Sequence, residues 1–242
     1  MKKLIIENFK TLFYALVIAV IIRSFFFQPF FIPSSSMEPN LLIGDRLFVS
    51  KFSYGYSRHS LPFSPKIFKD RILKNKPEVG DIIVFKTPAD NRTDYIKRLI
   101  GIPGDKIQIV DQNLYINKIK VKKKKIENLF TITCGNEIIA VDFYEETLPN
   151  GKRHLSVYRK EGTMINSDEY VVPKNHYFFM GDNRDCSKDS RFLSSVGYVN
   201  FNNLVGKAQI IFFSNNKEKG PFYKFWKWKK SLRTSRFFKR IE

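Results

Sequence analysis

Three serines stand in a row between two prolines in Pro33-Ser-Ser-Ser-Met-Glu-Pro39. A serine hydroxyl attacks a carbonyl only if a base takes its proton and donors receive the oxyanion that develops. No Gly-x-Ser-x-Gly elbow occurs, and His59, His154 and His176 stand in no triad context, so they read as surface or loop histidines. A lysine can replace histidine once it is neutral. Burial in an apolar strand lowers its pKa, because desolvation disfavours the charged form. Lys97 is the lysine best placed for this, with Ile96, Leu99 and Ile100 around it in Tyr95-Ile-Lys-Arg-Leu-Ile100. On a strand Lys97 and Arg98 point to opposite faces, so one can enter a site while the other makes a structural pair. A third stretch, Gly181-Asp-Asn-Arg-Asp-Cys-Ser-Lys-Asp-Ser-Arg191, puts three acids and two arginines into eleven positions. It follows directly on the apolar run Tyr177-Phe-Phe-Met180, and loops carried on rigid strands often hold functional groups.

Other chemistries find little support. Cys134 and Cys186 are far apart and form no C-x-x-C, and the histidines lack H-E-x-x-H spacing, so neither a catalytic metal nor any cofactor is expected. Whether the two cysteines pair is left open by the sequence. Ser214-Asn-Asn-Lys217 fits a short S-x-x-K pattern, but without companion motifs it reads as a turn after a strand. A hydrophobic content of 43% with 15% aromatics is enough for a core and excludes wholesale disorder. A formal net charge of +19 points to an anionic partner, a membrane surface or a nucleic acid, or else to a lysine-rich solvated surface.

The elements that must position these groups begin with an anchor. Thr11 to Phe27 is almost wholly apolar and 17 residues long, the short end of what spans a bilayer. Arg23 lies near its far end, where it can snorkel to the headgroups, and the aromatic cluster Phe25 to Phe31 suits the interface. Lys2, Lys3 and Lys10 precede the span, which by the positive-inside rule puts the N-terminus in the cytosol and residues after about 30 outside. No small-x-small site follows, so the segment reads as an uncleaved anchor. Beyond it, Asp81–Phe85, Asp94–Ile100, Lys106–Val110, Leu114–Lys118, Tyr177–Met180 and Lys207–Phe213 are short apolar runs separated by turn residues. They predict a mainly β protein of antiparallel strands with no long amphipathic helix between 40 and 215. Tyr56 to Glu78 is expected to be an extended surface loop and Lys118 to Lys125 a solvated hairpin end. Asn128 to Val172 is less regular and suggests an inserted subdomain. The tail from Phe222 to Ile241 mixes eight cations with aromatics, which suits an amphipathic segment on anionic lipid or a solvated helix with an apolar core face.

Pro33–Pro39, Tyr95–Arg98 with Gly101-Ile-Pro-Gly-Asp105, and Gly181–Arg191 resemble, in this order behind an anchor, the three signature boxes of bacterial type I signal peptidases, the Ser/Lys peptidases of family S26. The resemblance covers roughly residues 10 to 215. It implies an antiparallel β core with a smaller inserted β subdomain behind one N-terminal transmembrane helix. The expected organisation is a cytosolic 1–10, an anchor at 11–27, a catalytic core at 28–106 and 174–215, an insert at 107–173 and a basic aromatic tail at 216–242. Carried over position by position, Ser36 matches the nucleophile and Lys97 the general base. Ser34 and the Ser36 backbone N–H match the oxyanion donors, and extended geometry would put Ser34 and Ser36 on one side with Ser35 facing away. Ser187 matches a serine that orients the lysine. Arg98, Asp182, Asp189 and Arg191 match structural charged partners, and Ile32, Pro33, Met37, Asp94, Tyr95 and Ile96 are expected to contact substrate. An extended signal peptide with small residues at −3 and −1 would add as a strand beside Asp94 to Lys97. The sequence departs from the commonest pattern at Ser35, Asn40 and Cys186, where glycine, threonine and asparagine are usual. The resemblance implies preproteins and the lipid bilayer as partners, no nucleic acid, and a catalytic domain on the outer face of the bacterial inner membrane. A processing peptidase with one dedicated substrate is the nearest alternative. A membrane-anchored basic lipid-binding protein without activity would explain the charge but not the three boxes.

Overall fold

The computed structural model of the 242-residue chain describes residues 2–65, 70–135, 137–216, 219–220 and 224–241. A helix, α1, runs from Lys2 to Ile21 and continues through a π-helical turn at Ile22–Phe26. Ile5–Phe26 is long and apolar enough to cross a membrane, and it touches the β domain at its end, where Ser24 is buried and the Phe25 ring packs against Tyr56. Its 22 residues rise about 33 Å, close to the thickness of a hydrocarbon core. The helical segment starts and stops earlier than the uncharged run suggests. Phe27–Phe31 leaves the helix to form a strand, drawn out by pairing with Arg46–Ser50.

Fifteen strands follow among the described residues. Four come first: β1 (Phe27–Phe31), β2 (Asp45–Ser50), β3 (Ile82–Lys86) and β4 (Asp94–Gly101). The middle of the chain gives β5 (Lys106–Val110), β6 (Asn113–Ile116), β7 (Ile119–Lys120), β8 (Lys122–Cys134), β9 (Glu137–Thr147), β10 (Arg153–Arg159) and β11 (Tyr170–Val171). The last four are β12 (His176–Met180), β13 (Val199–Asn200), β14 (Leu204–Ser214) and β15 (Lys239–Arg240). The main sheet is antiparallel in the order β1-β2-β14-β3-β4-β12-β13, with β15 also on β14. Two smaller sheets, β10-β9-β8 and β11-β5-β6-β7, use only strands from Lys106 to Val171. After Phe26 the only α-helical segment among the described residues is the single turn Trp228–Ser231.

The continuous apolar run of β3 has a simple cause: the strand is central and buried on both faces. Ile82 and Val84 join Ile32, Met37, Leu41, Leu47, Val49 and Val205 in one cluster. Ile83 and Phe85 join Leu99, Phe179 and Leu204 in another. A third cluster packs Ile107, Ile109, Leu114 and Ile116 of the β5–β6 hairpin against Ile100, Phe178 and Met180 of β4 and β12. The strands that carry the second and third boxes are thus held from three sides.

Several expectations need correction. Asn128–Val172 is not irregular, since β8 and β9 form a long ladder of 13- and 11-residue strands. Lys118 alone of the lysine run lies in a turn, with a φ of 65°, while Lys122–Lys125 belong to β8. Cross-strand partners stabilise those lysines: Lys125 pairs with Asp142 at 3.0 Å, and Lys123 lies over the rings of Tyr144 and Tyr158. Within Tyr56–Glu78, of which 66–69 lie outside the described residues, the loop is exposed over 72–76 but tied down at Ser57, His59, Ser60 and Arg71, which are buried. Tyr56 bridges to Ile72, and the buried Arg71 guanidinium donates to Gly55 O at 2.7 Å. His59 and His154 are buried, not surface residues, and only His176 remains partly exposed. Cys134 and Cys186 form a disulfide that ties the end of β8 to the third box. Of Ser214-Asn-Asn-Lys217, Lys217 lies outside the described residues and Ser214 is buried, donating to Asp45 at 2.6 Å. The tail, apart from 217–218, 221–223 and 242, which lie outside the described residues, is neither a long amphipathic helix nor wholly free of the core. β15 pairs with β14, while Phe225, Trp226 and Trp228 stay exposed.

Candidate active site

β4 presents its residues alternately to two interiors. Lys97 sits opposite Ile83 and Arg98 opposite Ile82 on β3. The Lys97 side chain is buried, and its Nζ donates to Ser36 Oγ at 2.6 Å. Burial pushes the Lys97 pKa down to about 8, against the opposing pull of the Asp189 and Asp182 carboxylates. A substantial neutral fraction therefore exists near pH 8, where the amine can accept a proton. Arg98 points the other way. Its guanidinium holds Asp182 through two bonds of 2.8 and 2.9 Å and donates to Gly80 O at 2.8 Å. Burial would raise the Asp182 carboxyl, but the Arg98 charge overrides this and keeps it below the usual carboxylate range.

The serine segment is not extended. Residues 34–40 fold as bends and turns, with Glu38 N donating to Ser35 O at 3.0 Å and Leu41 N to Met37 O at 2.9 Å. The turn brings the Ser34 and Ser36 hydroxyls within 3.4 Å of each other while Ser34 stays exposed. Ser35 is buried, and its carbonyl accepts from Asn183 Nδ2 at 3.1 Å. The Ser36 carbonyl accepts from Asn183 N at 3.2 Å, so the third box clamps the first directly.

That clamp is itself built from buried charge. Asp189 accepts two bonds of 2.8 Å from Arg191 and one of 2.9 Å from Gly181 N. Arg184 holds Glu146 on β9 through bonds of 2.9 and 2.6 Å, and Tyr158 OH donates to the same carboxylate at 2.7 Å. His154 Nε2 lies 3.3 Å from Glu146, which makes it a member of this network rather than a base for serine. Gly181 is required by close approach: a Cβ there would collide with the Ser187 side chain and the Ser36 carbonyl. Ser187 Oγ is buried in this contact and has no hydrogen-bond partner of good geometry among the described residues.

Residues expected to meet substrate fall into two groups. Ile32 and Met37 are consumed by the core, 2% and 0% exposed, beside Leu41, Leu47 and Val49, while Pro33 is exposed. Asp94, Tyr95 and Ile96 lie on the part of β4 that extends past its pairing with β12, which begins at Arg98. Among the described residues no strand pairs with that edge of Asp94–Lys97, so its backbone can take an added strand next to Lys97. Asp94 forms an ion pair with Lys86 at 2.8 Å, and the Tyr95 ring packs against Phe85.

Asn183, Arg184 and Glu146 receive no role from the sequence, and Asn40 enters there only as a departure from the commonest pattern. Asn183 and Asn40 lie inside or beside the boxes, and a satisfiability argument for the serine turn could have found them. Glu146 carries no local signal, because its partner is 38 residues away.

The buried Arg98–Asp182 pair gives a stability prediction. Arg98→Ala leaves a carboxylate uncompensated in the interior and is expected to cost about 3–5 kcal/mol. The Arg98→Ala/Asp182→Ala double variant should lose less than the two single losses combined. Urea titration of the protein in detergent micelles measures both, and a loss under about 1 kcal/mol for Arg98→Ala would count against the pair.

The sequence profile of the family described as signal peptidase, peptidase S26, matches residues 5–213. The chain is 39% identical to signal peptidase I of Rickettsia typhi, across 99% of this chain and 95% of that protein. It is 38% identical to signal peptidase I of Rickettsia prowazekii over the same shares of both chains. With signal peptidase I of Rickettsia akari the identity is 43%, across 83% of this chain and 77% of that protein. Likeness that runs nearly the whole length of the chain, and not only through three short boxes, leaves one assignment: the protein belongs to the signal peptidase family, peptidase S26, serine endopeptidases that cleave N-terminal leader peptides.

Proposed function

We propose that Ser36 is the nucleophile of this peptidase and Lys97 its general base. The observation that carries this reading is the 2.6 Å bond between Lys97 Nζ and Ser36 Oγ in a buried setting, with the lysine pKa lowered to about 8. A leader peptide enters as a strand along Asp94–Lys97. Neutral Lys97 takes the Ser36 proton as Oγ bonds to the scissile carbonyl carbon. The Ser34 hydroxyl and the Ser36 N–H donate to the oxyanion. Collapse breaks the C–N bond, and Lys97 returns the proton to the leaving amine. Lys97 then takes a proton from water as its oxygen bonds to the acyl carbon, and returns that proton to Ser36 Oγ as the C–Oγ bond breaks, which frees the leader's new carboxyl end. Ser187 positions Lys97, and its close packing against Gly181 beside the Ser36 carbonyl supports that role. Arg98, Asp182, Asp189 and Arg191 hold the frame and move no proton. Small residues at −3 and −1 are the expected substrate signature. Mass-spectrometric mapping of the products from a test preprotein, wild type against Ser36→Ala, tests the reading. A single cut after a small −1 residue, absent with Ser36→Ala, supports it.

One apolar helix anchors the chain, and the lysines at its start support a cytosolic N-terminus with the β domain on the outer face of the inner membrane. The confinement of the two smaller sheets to Lys106–Val171 supports reading 107–173 as an insertion into a core formed by 28–106 and 174–215. In the tail, exposed Phe225, Trp226 and Trp228 alternate with Lys224, Lys227, Lys229 and Lys230, which supports contact with anionic lipid over 224–230 alone. Trp226→Ala/Trp228→Ala should weaken tryptophan-independent cosedimentation with phosphatidylglycerol vesicles. Unchanged binding would remove the tail from the membrane contact.

A further inference from the structure

The turn that carries Ser36 is fixed at both ends, and the two ends are held by different parts of the chain. Asn183 of the third box holds the carbonyls of Ser35 and Ser36. At the far end the Asn40 carbonyl accepts from Arg236 Nη2 at 2.8 Å. Arg236 belongs to the C-terminal arm, beyond residue 213, where the family profile match stops.

This arginine is anchored, not draped over the surface. Its Nε and Nη2 bind the fully buried Asp45 carboxylate at 3.1 and 2.5 Å. Asp45 also accepts from Leu42 N at 2.9 Å and Ser214 Oγ at 2.6 Å, so one carboxylate gathers the end of the serine turn, β14 and the arm. Arg233, one 3-10 turn earlier, donates to Ile43 O at 2.9 Å. Backbone bonds fix the arm on either side: Arg233 N to Ser214 O at 3.1 Å and Ile241 N to Gln209 O at 2.9 Å. Ile241 packs on the cluster that holds Met37 and Leu41.

The Asn40 side chain links this clasp to the base. Its Nδ2 donates to Asp182 Oδ2 and to Leu155 O, both at 2.7 Å, and Asp182 is the partner of Arg98, the neighbour of Lys97. Moving Asn40 would therefore disturb both the serine turn and the carboxylate behind the lysine strand.

We propose that Arg236 is a positioning residue for leader-peptide cleavage: by holding Asn40 O and Asp45 it sets the far end of the Ser36 turn and so the approach of Ser36 Oγ to Lys97. This rests on Ser36 being the nucleophile. It makes the C-terminal arm part of the working enzyme, though the arm touches neither substrate nor reacting atoms. A misplacement of about 1 Å at a reacting group can cost about 100-fold in rate.

The test uses the full chain in detergent micelles with a peptide spanning a leader cleavage site. Arg236→Ala is expected to lower kcat about 10- to 100-fold with KM within about twofold, because binding along β4 is untouched. Arg236→Lys keeps a charge for Asp45 but cannot make the same set of bonds, and should fall between wild type and Arg236→Ala. The acid limb of kcat/KM should stay near pH 8 in both, since the burial of Lys97 is unchanged. Arg240→Ala, whose side chain is exposed on β15, should leave kcat unchanged. Wild-type kcat in Arg236→Ala overturns the proposal, as does a fall in activity equal to the fall in folded protein by circular dichroism with no recovery in Arg236→Lys. If Arg236→Ala does not fold, a folded Arg236→Lys with wild-type kcat overturns it equally. Cleavage by Ser36→Ala would instead strike at the nucleophile assignment, whatever Arg236 does.

Discussion

Ser36→Ala is expected to reduce cleavage of a leader peptide by about 10,000-fold or more while leaving the protein folded. The size of the effect follows from what one oxygen does. Ser36 Oγ is the acceptor for Lys97 Nζ and the neighbour of the Ser34 hydroxyl, so under the proposed roles its loss removes both the attacking atom and the group that orients the base. On that proposal the oxyanion donors and the peptide-binding edge remain, and they would give only residual catalysis. The stability cost is small by comparison. The buried amine loses one acceptor, worth about 1–3 kcal/mol, and Asn183 still holds the turn through backbone carbonyls that the substitution keeps. Cleavage followed by chromatography, beside a thermal melt, separates the two effects. Turnover at the same bond above a few per cent of wild type would refute the assignment.

Lys97→Met carries the second large effect. Methionine keeps the volume and the apolar character of the stem, so the packing between Ser36 and the Tyr95 ring is largely retained. The serine hydroxyl remains, but the proposed base for its proton is gone. A loss of about 1,000-fold or more in kcat is expected. The histidines offer no substitute. His154 is engaged with Glu146 and Arg184, and His59 donates its backbone N–H to Ser57 and lies beside Arg58 and Ser64. Substantial activity in a folded Lys97→Met would mean that another group removes the proton.

How much of this could be read beforehand depends on where each signal lives. The strands were legible because their hydrophobic runs are local. Asp81–Phe85 became β3, Asp94–Ile100 became β4 and Tyr177–Met180 became β12, each within a residue or two. Lys97 stood out because it is a lysine in such a run, and its burial is a property of the strand. The serine segment is where the pleat argument fails, because residues 34–40 fold as bends and turns and not as an extended strand. The Ser34 and Ser36 hydroxyls meet across a turn closed by Asn183, a partner 147 residues past Ser36. Long-range partners also explain the rest. Lys122, Lys124 and Lys125 are solvated as expected, but they lie in a strand and not at a hairpin end, because their partners, Tyr144 to Thr147, lie on another segment. Arg236 looked like one more cation at a lipid surface because its buried carboxylate, Asp45, is 191 positions away. The disulfide could not be decided from two cysteines 52 residues apart, since the pairing depends on β8 returning to the third box. Family membership sets aside the reading of the chain as a lipid-binding protein without activity.

The central claim is that a neutral, buried Lys97 is the base for Ser36, and the pH dependence of kcat/KM for wild-type enzyme tests it most directly. The protonated lysine cannot accept the serine proton, so activity must rise with pH through the pKa of the free enzyme's lysine. The account predicts a single acid limb with a midpoint near pH 8 and a tenfold loss per pH unit below it. A rate that stays flat down to pH 6, or a limb centred in the ordinary histidine range, would contradict it.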